Sequence, residues 1–159
     1  MAWADSKLFR EWFSQEVQVS GTSYTGLDSD TVKAALFNNS VTPDKDAAAA
    51  STGFNTGTWV TANEVTDVTN WVSGGRALAS KTFTTPSTGV FMFDAADLAG
   101  GGTVTITNAF GCLVYDDTIS GGTVADQGVC YNYFGGAQSV TAGTFTIVWN
   151  ANGIYRVTV

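Results

Sequence analysis

The chain has 159 residues, 44% hydrophobic and 13% aromatic, with 13% charged and a formal net charge of −7. Such a length and apolar content suit one domain with a sizeable core and argue against global disorder. With no histidine, two cysteines and seven scattered Lys and Arg, the chain lacks the commonest general base, a standard zinc set and the cationic surface that nucleic acid requires.

The first expected element is an amphipathic helix over about Ala4 to Gln18, capped by Asp5 or Ser6 and ended by Gly21. Leu8 with Trp12, and Phe9 with Phe13 and Val17, form one apolar stripe at helical spacing; Lys7, Arg10, Glu11, Gln15 and Glu16 take the other side. Leu8, Phe9, Trp12, Phe13 and Val17 are therefore the candidate interface residues. They dock either on the chain's own body or on another subunit. The polar stretch from Ser20 to Ser29 is long enough to let the helix reach a neighbour, which favours the subunit. This reading makes residues 1–30 an assembly arm and residues 31–159 a β-sandwich domain.

Thr31 to Phe37 reads as a strand, with a short capped helix as the alternative. Thr42-Pro43-Asp44 starts one short internal helix running to Ala50: Thr caps, Pro fits the first helical position, and Asp favours the positive end. Trp59 and Val60 anchor the next segment. Ser73-Gly74-Gly75 is a bend, and Arg76 to Phe83 a weaker strand with Leu78 and Phe83 as its burial candidates. Thr85 to Gly89 is a turn and Val90 to Asp94 a strand.

Thr103 to Thr107 alternates, with Val104 and Ile106 set against Thr103, Thr105 and Thr107, and Gly111 to Tyr115 continues it. After a loop at Asp116 to Ala125, strands follow at Val129 to Phe134, Ser139 to Trp149 and Ile154 to Val159, the last two joined by an Asn150-Ala151-Asn152-Gly153 hairpin turn. Short strands joined by such turns predict a mainly β, antiparallel β-sandwich or jelly-roll-like barrel. No repeat of fixed period supports a solenoid or propeller.

Cys112 and Cys130 sit in apolar strand contexts. They are expected to be reduced and buried on adjacent strands. A hairpin centred on Gly121-Gly122 places them nearly opposite each other, so that they could oxidise late, outside the cell.

No catalytic, metal or cofactor site emerges. The pairs Asp28/Asp30, Asp44/Asp46, Asp94/Asp97 and Asp116/Asp117 lack the oxygen-ligand frame of a calcium loop and read as turn formers. No Ser-x-x-Lys motif activates a nucleophile. Gly100-Gly101-Gly102 is not followed by Lys-Thr, so it is a loop and not a phosphate cradle. Tyr24, Trp59, Tyr131 and Tyr133 would stack on sugars if exposed, whereas core or interface packing is the commoner use of such rings. No window is apolar and long enough to cross a bilayer, and the start carries no basic region followed by an apolar run. The protein is expected to be made in the cytoplasm and to stay there until it is assembled.

Several segments in order resemble a known group. They are Val32 to Phe37 with Val41-Thr42-Pro43-Asp44, Ser73 to Leu78, Phe93 to Asp97, Cys112 to Asp117 with Tyr133-Phe134-Gly135-Gly136, and Ala142 to Ile154. The chain is similar there to small virion structural proteins of tailed bacteriophages, which act as capsid decoration or tail structural proteins. The resemblance runs from Val32 to the end and implies no enzyme. It implies a decoration protein on the major capsid protein lattice at the virion surface, self-associating, with a trimer matching local three-fold positions. The alternatives are a tail or baseplate module that contacts other tail proteins or the host surface, and a carbohydrate-binding module.

Overall fold

A computed structural model describes residues 3–10, 12 and 26–158. It is mainly β, and every pairing between strands is antiparallel. The strands are β1 (Lys7–Leu8), β2 (Val32–Phe37), β3 (Glu64–Val65), β4 (Arg76–Ala77), β5 (Thr82–Ser87), β6 (Val90–Asp94), β7 (Leu98–Ala99), β8 (Val104–Asp116), β9 (Gln127–Gly143), β10 (Thr146–Ile147) and β11 (Tyr155–Thr158). A six-stranded sheet runs β1-β9-β8-β2-β3, with β4 also on β2. A second sheet pairs β10 with β7, and a third runs β11-β6-β5.

The first sheet holds the core. β2 is buried at every position except Lys33, because it lies between β8 on one side and β3 and β4 on the other. That position explains its unbroken apolar run, where a half-buried strand would alternate. In β8, Val104 and Ile106 face inward between exposed threonines, and Gly111 to Asp116 is then buried without a break where β2 pairs with it. The β8–β9 ladder shifts register several times. Asn108, Gly135, Gly136 and Ala142, all with positive φ, mark the irregular stretch and let the two long strands bend.

The expected N-terminal helix is corrected. Lys7–Leu8 is a strand on the edge of β9, with Lys7 opposite Tyr131 and Leu8 opposite Cys130. The Phe9 N–H donates to the Val129 carbonyl at 3.1 Å and the Arg10 N–H to the Lys45 carbonyl at 3.0 Å. Arg10 and Trp12 have helical backbone, and among the described residues no helix reaches seven residues; residues 13–18 lie outside the description. The stripe suited a helix, but a short helix in water is marginal, and the sheet edge offers the same backbone bonds together with a place for the rings. Two glycines make that place. A Cβ on Gly111 would lie 2.5 Å from the Trp3 ring, and one on Gly128 would lie 2.7 Å from the Phe9 ring.

The internal helix after Pro43 is corrected as well. The described helical piece in that region is a single 3-10 turn at Ala49–Ser51. Asp44 closes a tight turn, its carboxylate accepting the Asp46 N–H at 2.8 Å, and the Lys45 carbonyl is taken by Arg10, so the helical ladder does not start. Phe83 is not buried, being 43% exposed, because β5 lies at an open sheet edge. β5 also runs on through Ser87, and the turn follows at residues 88–89. The Asn150 to Gly153 turn forms, with the Gly153 N–H on the Asn150 carbonyl at 2.7 Å. It is not a hairpin, since β10 pairs with β7 and β11 with β6.

Candidate functional site

The sequence-predicted interface residues separate. Phe9 and Trp12 are buried in the chain's own core, and Leu8 is half-buried; Phe13 and Val17 lie outside the described residues. Phe9 joins an aromatic cluster with Trp59 (6.1 Å between ring centres) and Tyr131 (5.5 Å). Trp3 meets the same two rings edge-on and donates its indole N–H to the Asn38 carbonyl at 3.0 Å. Trp3 and Phe9 are thus tied through these rings to the chain's own body.

Among the described residues the exposed large apolar side chains are Val68, Val72 and Val148, outside the third sheet, and Phe83 and Phe91, the exposed aromatic pair, on it. Phe93 lies between Phe83 at 5.1 Å and Tyr155 at 5.5 Å, a cross-strand trio set by the Phe83–Phe93–Tyr155 register. Phe91, two residues along β6, shares that face. It is 52% exposed, whereas Phe93 is fully buried, so the sheet leaves the core along its length. Its cross-strand partner Val157 lines a hollow of about 360 Å³ with Leu8, Phe9, Arg10, Lys45 and Asp46. The face is therefore continuous with Leu8, which among the described expected interface residues keeps surface. Every residue of β5 is exposed. The rim carries Lys45 paired with Asp46, and Arg10 4.0 Å from the same carboxylate.

A second concavity of about 800 Å³ is polar. Asn38, Asn39, Ser40, Thr105, Thr107 and Asn108 line it around half-buried Phe110. Glu64, also on its wall, uses its carboxylate internally, accepting from the Ser73 hydroxyl at 2.6 Å and the Gly74 N–H at 2.8 Å. Burial raises the Glu64 pKa against those two bonds.

Both thiols are free and buried. Cys112 lies opposite Asn132, and Cys130 opposite Val114. They are diagonal neighbours on one face of adjacent strands, in line with the expected nearly opposite placement. Burial pushes the Cys130 thiol up to about 12 and raises that of Cys112, with Cys130 adding to the effect.

Sequence reading missed the buried acids. Asp30 and Asp116, taken as turn formers, are 2% and 0% exposed. The signal was weak, since Asp beside Ser or Asp at a strand end looks the same whether its carboxylate points out or in. Among the described residues no three His, Cys, Asp or Glu side chains group to hold a metal ion, and no helix is long and apolar enough to cross a membrane.

Compared with protein-family models, with curated proteins and with solved structures, the chain has no match.

Proposed function

We propose that this chain is a non-enzymatic structural protein of a tailed-phage virion, a capsid decoration protein that binds the major capsid protein lattice and stabilises the shell. The observation that carries this reading is the half-exposed aromatic face of the β5–β6–β11 sheet, with Phe83 and Phe91 in water beside Leu8 and Val157. A contiguous apolar face of this kind suits a protein partner. By mass action, a subunit that binds only the finished shell stabilises it. The resemblance of its segment order to virion structural proteins supports the same reading, and a sandwich or jelly-roll layering of the sheets is the finer architecture that goes with it. The tail or baseplate reading uses the same face against a different partner.

The test is co-sedimentation of the purified chain with expanded shells of the same phage. Saturable binding is expected, weakened at least about tenfold by Phe83→Ser with Phe91→Ser. Because Phe83 also packs on Phe93 and Tyr155, an unchanged circular dichroism spectrum of the double variant is required alongside the binding assay. Binding to tails and not shells would move the assignment to the tail.

The polar groove favours a second reading, a carbohydrate-binding module. Its exposed amides and hydroxyls around Phe110 suit a neutral saccharide. Binding on a glycan array, lost in Asn108→Ala and absent for shells, would select it.

A further inference from the structure

Asp30 and Asp116 belong to no surface described above. Val32 lies opposite Asp116 in the β2–β8 ladder, and Asp30, in the bend two residues before Val32, is buried as Asp116 is. The two carboxyls lie within hydrogen-bond reach of each other. Oδ1 of Asp116 accepts the Thr118 N–H at 2.9 Å, while Oδ2 is buried and meets no N–H or O–H donor of its own. Two facing carboxylates repel, and burial makes that costly. One shared proton turns the repulsion into a hydrogen bond.

The pair sits where two turns meet. The 26–30 turn closes by Ser29 and Asp30 N–H bonds to the Gly26 carbonyl, each 2.9 Å. It is fastened to the end of β8 by the Thr31 N–H on the Thr118 hydroxyl at 2.8 Å and the Asp117 N–H on the Thr31 carbonyl at 2.8 Å.

Several charged groups lie near the pair among the described residues. On β2 and the β8 end, Lys33 is engaged with Asp117 at 2.8 Å. From the segment before β5, the Lys81 ammonium donates to the Asp30 backbone carbonyl. From β9, buried Gln127 stands opposite Asp116 in the ladder. Next to it, Asp126 has its carboxyl raised by burial and by Asp117. Asp28 lies exposed on the turn itself.

We propose that Asp30 and Asp116 form a proton-sharing latch that holds the 26–31 turn against the end of β8, and that this corner loosens when the shared proton leaves. Desolvation, and then the facing Asp30, raise the Asp116 carboxyl from the ordinary carboxylate range toward neutrality. A folded-state pKa above the unfolded value means that folding takes up a proton. The latch therefore contributes fully below the ordinary carboxylate pKa, and its contribution is lost as the pH rises through the raised value.

The experiment is thermal melting of the full chain between about pH 5 and about pH 8, with amide exchange followed at residues 26–31 and 116–119. The wild-type Tm is expected to fall by about 3–5 °C toward the alkaline end, with exchange at the two turns rising at least about tenfold. Asp116→Asn and Asp30→Asn should each flatten the fall. A wild-type Tm that holds or rises over that range, or a fall that persists undiminished in both variants, overturns the latch. If either variant fails to fold, carboxyl carbon NMR titration of the wild type decides. One buried aspartate titrating near neutrality supports the pair, and both titrating with ordinary exposed aspartates overturns it.

Discussion

Gly111 and Gly128 occupy strand interiors, where glycine is a poor choice unless something approaches closely. At Gly111 an added Cβ would lie 2.5 Å from both the Asn132 carbonyl oxygen and the Trp3 ring; at Gly128 it would lie 2.3 Å from the Thr52 carbonyl oxygen. Neither backbone group can swing aside. Gly128→Val is expected to destabilise the chain by at least about 2 kcal/mol, measured by urea unfolding with tryptophan fluorescence. A variant that unfolds at the wild-type midpoint would show that the Phe9 seat is not tight.

Asp67 is a residue-scale staple of the opposite electrostatic sign to Asp116. Its carboxylate accepts backbone N–H groups from Asn70 at 2.9 Å, Thr105 at 3.0 Å and Thr69 at 3.1 Å, which hold its pKa below the usual value. Its contribution is present above the ordinary carboxylate pKa and lost as the pH falls through the lowered one. Asp67→Asn should shallow the acid limb of a stability-against-pH curve and leave the alkaline limb alone. The thiols offer a third check at this scale. Buried and raised in pKa, Cys112 and Cys130 should react with a thiol reagent only at the rate at which the chain opens; fast labelling of both in native buffer would contradict their placement.

At the scale of elements, the described residues 3–10 and 12 pack on the chain's own core. Trp3, Phe9 and Trp12 are each at most 1% exposed, and β1 takes the edge of β9 at Tyr131 and Cys130. Trp3→Ala should cost about 3–5 kcal/mol, as other large-to-small core changes do. Removing residues 1–12 should lower the Tm of the isolated chain in a scanning calorimeter. A truncated chain that melts as the wild type would return the segment to an assembly role. The β5–β6–β11 sheet is the contrasting element, because its outer strand is exposed throughout and its aromatic face is only partly covered by its own chain.

At the scale of the whole molecule, topology sets the folding rate. β1 pairs with β9 across most of the chain, and β2 pairs with β8 from the far side of β3 to β7. Such non-local pairings require large loops to close before they are rewarded, so refolding in the millisecond-to-second range is expected. Stopped-flow fluorescence would test this, and a microsecond phase carrying the full amplitude would contradict it.

What the sequence by itself determined was strand character. The Thr/Val/Ile alternation of residues 103–107, the apolar run of β2 and the glycine-containing turns all follow from local periodicity and backbone preference, and the mainly antiparallel β fold follows from them. The tertiary structure decided which segment meets which edge. Leu8 and Phe9 fit the apolar spacing of a helix, yet they lie against a sheet edge. The edge of β9 and the seat over Gly128, more than 100 residues away, made that choice for residues 7–9, whereas Arg10 and Trp12 keep helical backbone. The internal helix after Pro43 was lost for the same reason, when the Lys45 carbonyl was taken by Arg10. Phe83 was legible as apolar but not as exposed, because exposure at a sheet edge depends on what is absent beside it. Asp30 and Asp116 were legible as acids beside strand ends, but only the tertiary structure buries both of them, where the turn before β2 meets the end of β8.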